Sequence, residues 1–214
     1  MLTERYFGTY ARFETISKRE AAPLLGADNL VGDEFSIDFQ IEDGTSIAWL
    51  KNRFGAVIGR LDSTLSRQLK ILDARGWRLQ AYLSFVAFTD EPKPGHYWGE
   101  VAIICYEPQY EHTFSLFSTQ AASKLAAGVR PDITLGEQGV DQVISSEGSW
   151  FPKQKVPFPA QSEGTVIIKS HRGLTEKLIE QSRKGNKGCY VASWVFLLLL
   201  IALLIFGLKA CGVF

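Results

Sequence analysis

The chain is expected to be an α+β protein: a small bent antiparallel sheet or partly open β-barrel with a plugging helix, a mixed C-terminal segment, and one C-terminal transmembrane helix. Three observations predict this. Phe35, Ile37, Phe39 and Ile41 alternate with Ser36, Asp38, Gln40 and Glu42, the period of two that marks a half-buried strand. Leu65, Leu69 and Leu72 then recur at helical spacing between a capping Asp62 or Ser63 and the stop Arg75-Gly76. Finally, Tyr190 to Leu208 holds no charged residue, and a helix of that length roughly matches a hydrocarbon core of about 30 Å.

Taken in order, residues 2–16 carry Tyr6, Phe7, Tyr10, Phe13 and Ile16, a spacing that suits either a short helix or an irregular strand. Asp43-Gly44 supplies turn chemistry after the first alternating strand, and Ile47 to Leu50 resumes as its hairpin partner. Asn52 to Gly55 breaks the chain before Ala56 to Leu61, which gives a three-strand meander. Past the Leu-rich helix, Trp77 to Phe88 reads as a central strand. Trp98 to Tyr106 is its partner across a Lys93-Pro94-Gly95 turn. The resulting order, β-β-β-α-β-β, fits a strongly bent sheet or barrel.

Beyond Pro108, Phe114, Phe117, Ala121, Ala122 and Leu125 mark a helix that Gly128 and Pro131 close. Leu135 to Glu147 is Gly-interrupted and suggests no single element. Phe151 to Pro159 holds Pro152, Pro157 and Pro159 and must be an extended arm laid over the domain surface. Thr165 to Lys169 is an edge strand and Leu174 to Arg183 a helix. The expected boundaries are 1–108 for a β-rich domain, 109–183 for the mixed segment, 184–189 for a basic hinge, 190–208 for the membrane helix and 209–214 for a stub.

Flanking charge orients the apolar helix. Arg183, Lys184 and Lys187 precede it and only Lys209 follows, which predicts a tail-anchored, single-pass membrane protein with its N-terminal domain in the cytoplasm. The lipid bilayer is then one partner. Cys189, at the expected membrane edge, reads as a small interfacial residue rather than an acylation site. Cys211 to Phe214 occupies prenylation positions, but Gly212 is not aliphatic there.

Composition narrows the chemistry. There are 23 basic and 23 acidic residues, a balance that argues against general nucleic-acid adhesion. Cys105 is the only cysteine ahead of the basic hinge, and no Cys/His spacing suits zinc, so neither a disulfide framework nor a metal is expected. No phosphate loop or nucleophile elbow occurs, and no cofactor or catalytic residue is assigned. His96 and His112 bracket the Trp98 to Tyr106 strand and supply an enzyme alternative, a His-lined cleft.

Charge distribution offers more. Asp28, Asp33, Glu34, Asp38, Glu42 and Asp43 form an acidic stretch, followed by a basic one of Lys51, Arg53, Arg60, Arg67, Lys70, Arg75 and Arg78. Arg53, Phe54, Arg60, Arg67, Lys70 and Arg75 are the candidate binding patch, with cations for phosphates and a ring for stacking. The competing reading is that the two stretches pair across neighbouring strands and that Trp49 and Trp77 are core.

Gly32-Asp33-Glu34, Ile47-Ala48-Trp49-Leu50, Ile58-Gly59-Arg60-Leu61, the Leu-rich helix to Gly76 and the strand after it together resemble the HIRAN domain. This small β-barrel module occurs in DNA-processing proteins, and the resemblance covers roughly residues 6–88. It implies a barrel and, in the family, recognition of DNA ends. Ile41 to Ser46 stands where the family carries an Asn-Pro-Tyr-Asp-type loop, so that role is not carried over by residue. The leading expectation is a non-catalytic binding or adaptor module for a protein partner, with nucleic-acid-end binding through the basic patch as the alternative.

Overall fold

A computed structural model describes residues 3–15, 17–160, 163–183 and 193–201. The chain divides into two compact units, Met1–Arg172 and Gly173–Phe214.

The first unit is built on an antiparallel sheet of β1 (Tyr6–Glu14), β2 (Glu34–Glu42), β3 (Thr45–Lys51), β4 (Val57–Leu61), β5 (Arg78–Thr89), β6 (His96–Tyr106) and β7 (Thr165–Lys169). The strand order is β2-β3-β4-β1-β6-β5-β7, and an additional pairing of β2 with β5 closes six strands into a barrel with β7 outside the ring. Closure removes sheet edges that would otherwise expose unpaired backbone groups. The β-β-β-α-β-β order expected from the sequence is present as β2 to β6. Asp43 and Gly44 both take positive φ, 46° and 76°, the two-residue turn that carries right-twisted strands into a hairpin. The register Glu42 opposite Thr45 follows from it.

Helix α2 (Ser63–Ala74) begins as expected, Asp62 accepting a hydrogen bond from the Leu65 N–H at 3.0 Å. Leu69 and Leu72 join the barrel core with Phe7, Phe13, Phe35, Leu50, Ile58, Val101 and Ile103. The Ala48 N–H donates to Ser66 Oγ at 2.9 Å, so the helix carries a buried partner for the β3 backbone.

Strand β6 is apolar on both faces. Val101, Ile103 and Cys105 point into the barrel, whereas Ala102, Ile104 and Tyr106 meet a second core on its outside. That outer core is made by α3 (Glu111–Ala126), which follows a 3₁₀ turn at Pro108–Tyr110, and by α4 (Glu137–Ser145). They contribute Phe114, Phe117, Ala121, Leu125, Val140 and Val143. The same two-sidedness explains β1, whose Phe7 and Phe13 fill the barrel while Tyr6 and Tyr10 turn outward. A helix not anticipated, α1 (Lys18–Leu25), buries Ala21 and Leu24 and contains Pro23.

In the second unit, α5 (Leu174–Arg183) opens with Glu176 Oε2 accepting from the Gly173 N–H at 2.9 Å. Leu174 and Leu178 are exposed.

The transmembrane part of the predicted fold is corrected. Among the described residues no helix is long and apolar enough to cross a membrane. The helix within the apolar run is described over 193–201. A span needs a long helix as well as an apolar composition, and hydropathy reads only the composition. The expected single-pass localisation with a cytoplasmic N-terminal domain is therefore not supported. Lys184, Lys187, Cys189 and Lys209, together with the remainder of the expected span, lie outside the described residues; Arg183 is the last residue of α5.

Candidate binding groove

The hairpin tip between β2 and β3 and the exposed side of α2 enclose a groove of about 670 Å³ lined by Thr45, Ser46, Ser63, Arg67, Lys70 and Ile71. The hairpin turn and the capped helix start hold its two walls, which come from elements adjacent in sequence. Arg67 is exposed and has no carboxylate partner among the described residues. Lys70 Nζ pairs with Asp73 at 2.8 Å, one helical step away, and lies 4.5 Å from the centre of the Phe39 ring. One aliphatic side chain, Ile71, lines the groove with these cations, and a second, Ile41, lies on the neighbouring strand of the hairpin. Ile71 is 48% exposed, and Ile41, which faces Ser46 across the hairpin, is 82% exposed. Cations, hydroxyls and aliphatic surface converge there.

Of the six residues of the predicted patch, Arg67 and Lys70 are brought together. Arg60 projects from β4 and pairs with Glu42 at 2.8 Å, whose other oxygen accepts from Trp49 Nε1 at 2.7 Å. It lines a separate hollow with Arg12, Glu14 and Ile47. Arg53 stacks on exposed Phe54, 4.5 Å from the ring centre, at the far end of β3, roughly 20 Å of strand from the hairpin tip. Arg75 caps the C-terminus of α2, followed by Gly76 at φ 79°. Lys51 and Asp38 pair at 2.6 Å across β2 and β3, and Trp49 and Trp77 are buried. The acidic and basic stretches thus pair in part across neighbouring strands. Lys51 holds the Asp38 carboxyl below its ordinary value.

His96 opens β6, while His112 lies in α3 beyond the other end of that strand, so roughly 30 Å of strand separates them. His96 Nε2 is 3.9 Å from Glu14. Cys105 is fully buried and burial pushes its thiol well up. In the native chain Cys105 is expected to resist iodoacetamide while alkylating fully in denaturant, read from the mass of the Cys105 peptide; native labelling at a surface-cysteine rate would contradict the burial.

One constellation escaped sequence reasoning. Arg130, 4% exposed, pairs with Glu100 on the outer face of β6 and donates to Ser84 Oγ at 3.2 Å and to the Pro157 carbonyl. Its guanidinium carbon lies 4.5 Å from the Tyr10 ring centre and 5.1 Å from that of Phe158. A bulge between Leu83 and Phe85 turns Phe85 outward opposite Glu100. The signal available was Glu100 itself, one carboxylate in the apolar run Trp98 to Tyr106, since a buried charge requires a partner.

Fold and groove together define a closed six-stranded antiparallel barrel with an extra strand, helices on its outer face and a mixed polar and aliphatic groove. No protein-family model matches the chain, and no curated protein matches it.

Proposed function

We propose that the barrel is a HIRAN-like, non-catalytic binding module that takes a segment of a protein partner in the groove between the β2–β3 hairpin and α2. The observation that carries this reading is the placement of Arg67 and Lys70 beside exposed Ile71 and the hairpin-tip residues Thr45 and Ser46 in one groove. Such a surface complements a segment bearing both acidic and aliphatic side chains: the aliphatic contacts supply area and the cations select charge. A nucleic-acid strand would need cations in series with stacking rings. Here Arg53 and Phe54 stand at the other end of β3, and Arg60 is engaged by Glu42.

Selection of a displayed random-peptide library on the full chain is expected to enrich peptides that combine Asp or Glu with Leu or Ile. Affinity for a selected peptide should fall on the order of thirtyfold in an Arg67→Glu/Lys70→Glu chain, from about 1 kcal/mol per reversed charge. The proposal fails if no such peptides are enriched, or if the groove instead gives salt-dependent binding of a single-stranded oligonucleotide that the double variant abolishes.

A further inference from the structure

A second face of the barrel holds an extended segment of the chain. Residues 151–159 form no strand or helix of their own beyond a bridge between Lys155 and Pro131, yet they are held as an extended peptide ligand would be. The Val156 N–H donates to the Arg130 carbonyl at 2.9 Å, and the Gln154 carbonyl accepts from the Asp132 N–H at 3.1 Å. The Pro157 carbonyl accepts from the Arg130 guanidinium. Val156 and Phe158 are half-buried, whereas Pro157 and Pro159 are exposed. Main-chain bonds combined with alternate side chains seated in pockets are the common mode of extended-peptide recognition, and a proline-rich segment enters it with little conformational entropy left to lose.

The seat is held by contacts within the rest of the fold. Glu100 and Ser84 orient Arg130, Tyr10 stacks on it, and Trp98 meets Phe85 edge-on at 5.5 Å. Phe158 then enters against Phe85 at 5.6 Å.

We infer that the outer face at Tyr10, Phe85, Trp98, Glu100 and Arg130 is a receptor for an extended aliphatic-Pro-aromatic-Pro peptide. In this chain it is filled in cis by Val156-Pro157-Phe158-Pro159, and a partner protein presenting the same pattern displaces that arm. The segment already seated there offers the receptor the Phe158 ring and the Pro157 carbonyl, while its exposed prolines keep it extended. Because the arm is tethered, a peptide in trans competes against a high local concentration, and its apparent affinity is reduced by the fraction of receptor the arm leaves open. This receptor and the Arg67/Lys70 groove are separate, so either can fail without the other.

The probe is a fluorescein-labelled peptide with the sequence of residues 151–160, titrated into the full chain and into its Phe158→Ala variant with anisotropy readout. Saturable binding to the variant is expected, about tenfold or more tighter than to the wild type, and absent for a probe carrying Ala in place of the same phenylalanine. No binding to a folded Phe158→Ala chain overturns the inference. So does a wild-type dimer that the peptide dissociates, since the seat would then belong to a second copy. If the variant does not fold, amide exchange in the wild type decides. The Val156 amide is expected to exchange on the order of a hundredfold faster than the β6 core amides, and exchange only at the rate of global unfolding overturns the receptor.

Discussion

Glu100→Ala is expected to lower the free energy of unfolding by about 3–5 kcal/mol, because it leaves the Arg130 guanidinium buried without its carboxylate. The ion pair need not stabilise the fold relative to an apolar pair. Glu100→Leu combined with Arg130→Met is therefore expected to recover most of the loss, since a hydrophobic replacement of a buried pair is often neutral or better. Urea denaturation of the wild type, the single variant and the double variant reads both effects; a single-variant loss under about 1 kcal/mol would mean that water reaches Arg130. Stability should also carry a pH signature. Burial holds the Glu100 carboxyl above its ordinary value, Arg130 pulling the other way, so the folded chain binds that proton more tightly than the unfolded chain does. The corresponding stability is full below the unfolded pKa and lost as pH rises through the folded one, and a Glu100→Gln chain should lack that component.

Phe114→Ala is expected to cost a comparable amount, about 3–5 kcal/mol. Phe114 is fully buried and stacks on Tyr6 of β1 at 5.0 Å and on Tyr106 of β6 at 5.4 Å, with Phe117 edge-on at 6.3 Å. One ring thus fastens α3 to two strands of the barrel, and its loss removes apolar contact and leaves a cavity between layers that cannot easily collapse. Phe114→Leu, which keeps most of the volume, is expected to cost under about 1.5 kcal/mol. If Ala and Leu proved equally mild in urea melts, α3 would not be held through this ring.

Strands β2 to β6 were legible because alternation and turn residues are local signals. Asp43-Gly44 fixes a register without any long-range information, and Asp62 marks the start of α2 in the same way. Strand β1 stayed ambiguous because Tyr6 and Tyr10 serve an outer core while Phe7 and Phe13 serve the inner one, so its aromatic residues do not alternate with polar ones. Ile41 continues the alternation of Phe35 to Phe39 but is 82% exposed, since β2 runs on to the hairpin tip. The closing pair of β2 and β5, and the bulge that re-aims Phe85, depend on strands far apart in sequence. The apolar run after Tyr190 misled because hydropathy reads composition alone, and among the described residues no helix is long and apolar enough to cross a membrane.

The site followed the same division. Arg67 and Lys70 were legible as part of a basic run, but only the fold separates them from Arg53, Arg60 and Arg75 and brings the hairpin tip at Thr45 and Ser46 to the same groove. Arg130 and Glu100 lie 30 residues apart and were invisible as a pair.

The most direct test of the groove is a residue-resolved amide NMR titration of the full chain with a library-selected acidic-aliphatic peptide. Shifts confined to Gly44 to Ser46 and Ser63 to Ala74, and lost in the Arg67→Glu/Lys70→Glu chain, are the predicted result. Saturable binding that leaves those residues unshifted, or that survives reversal of both charges, would contradict the account.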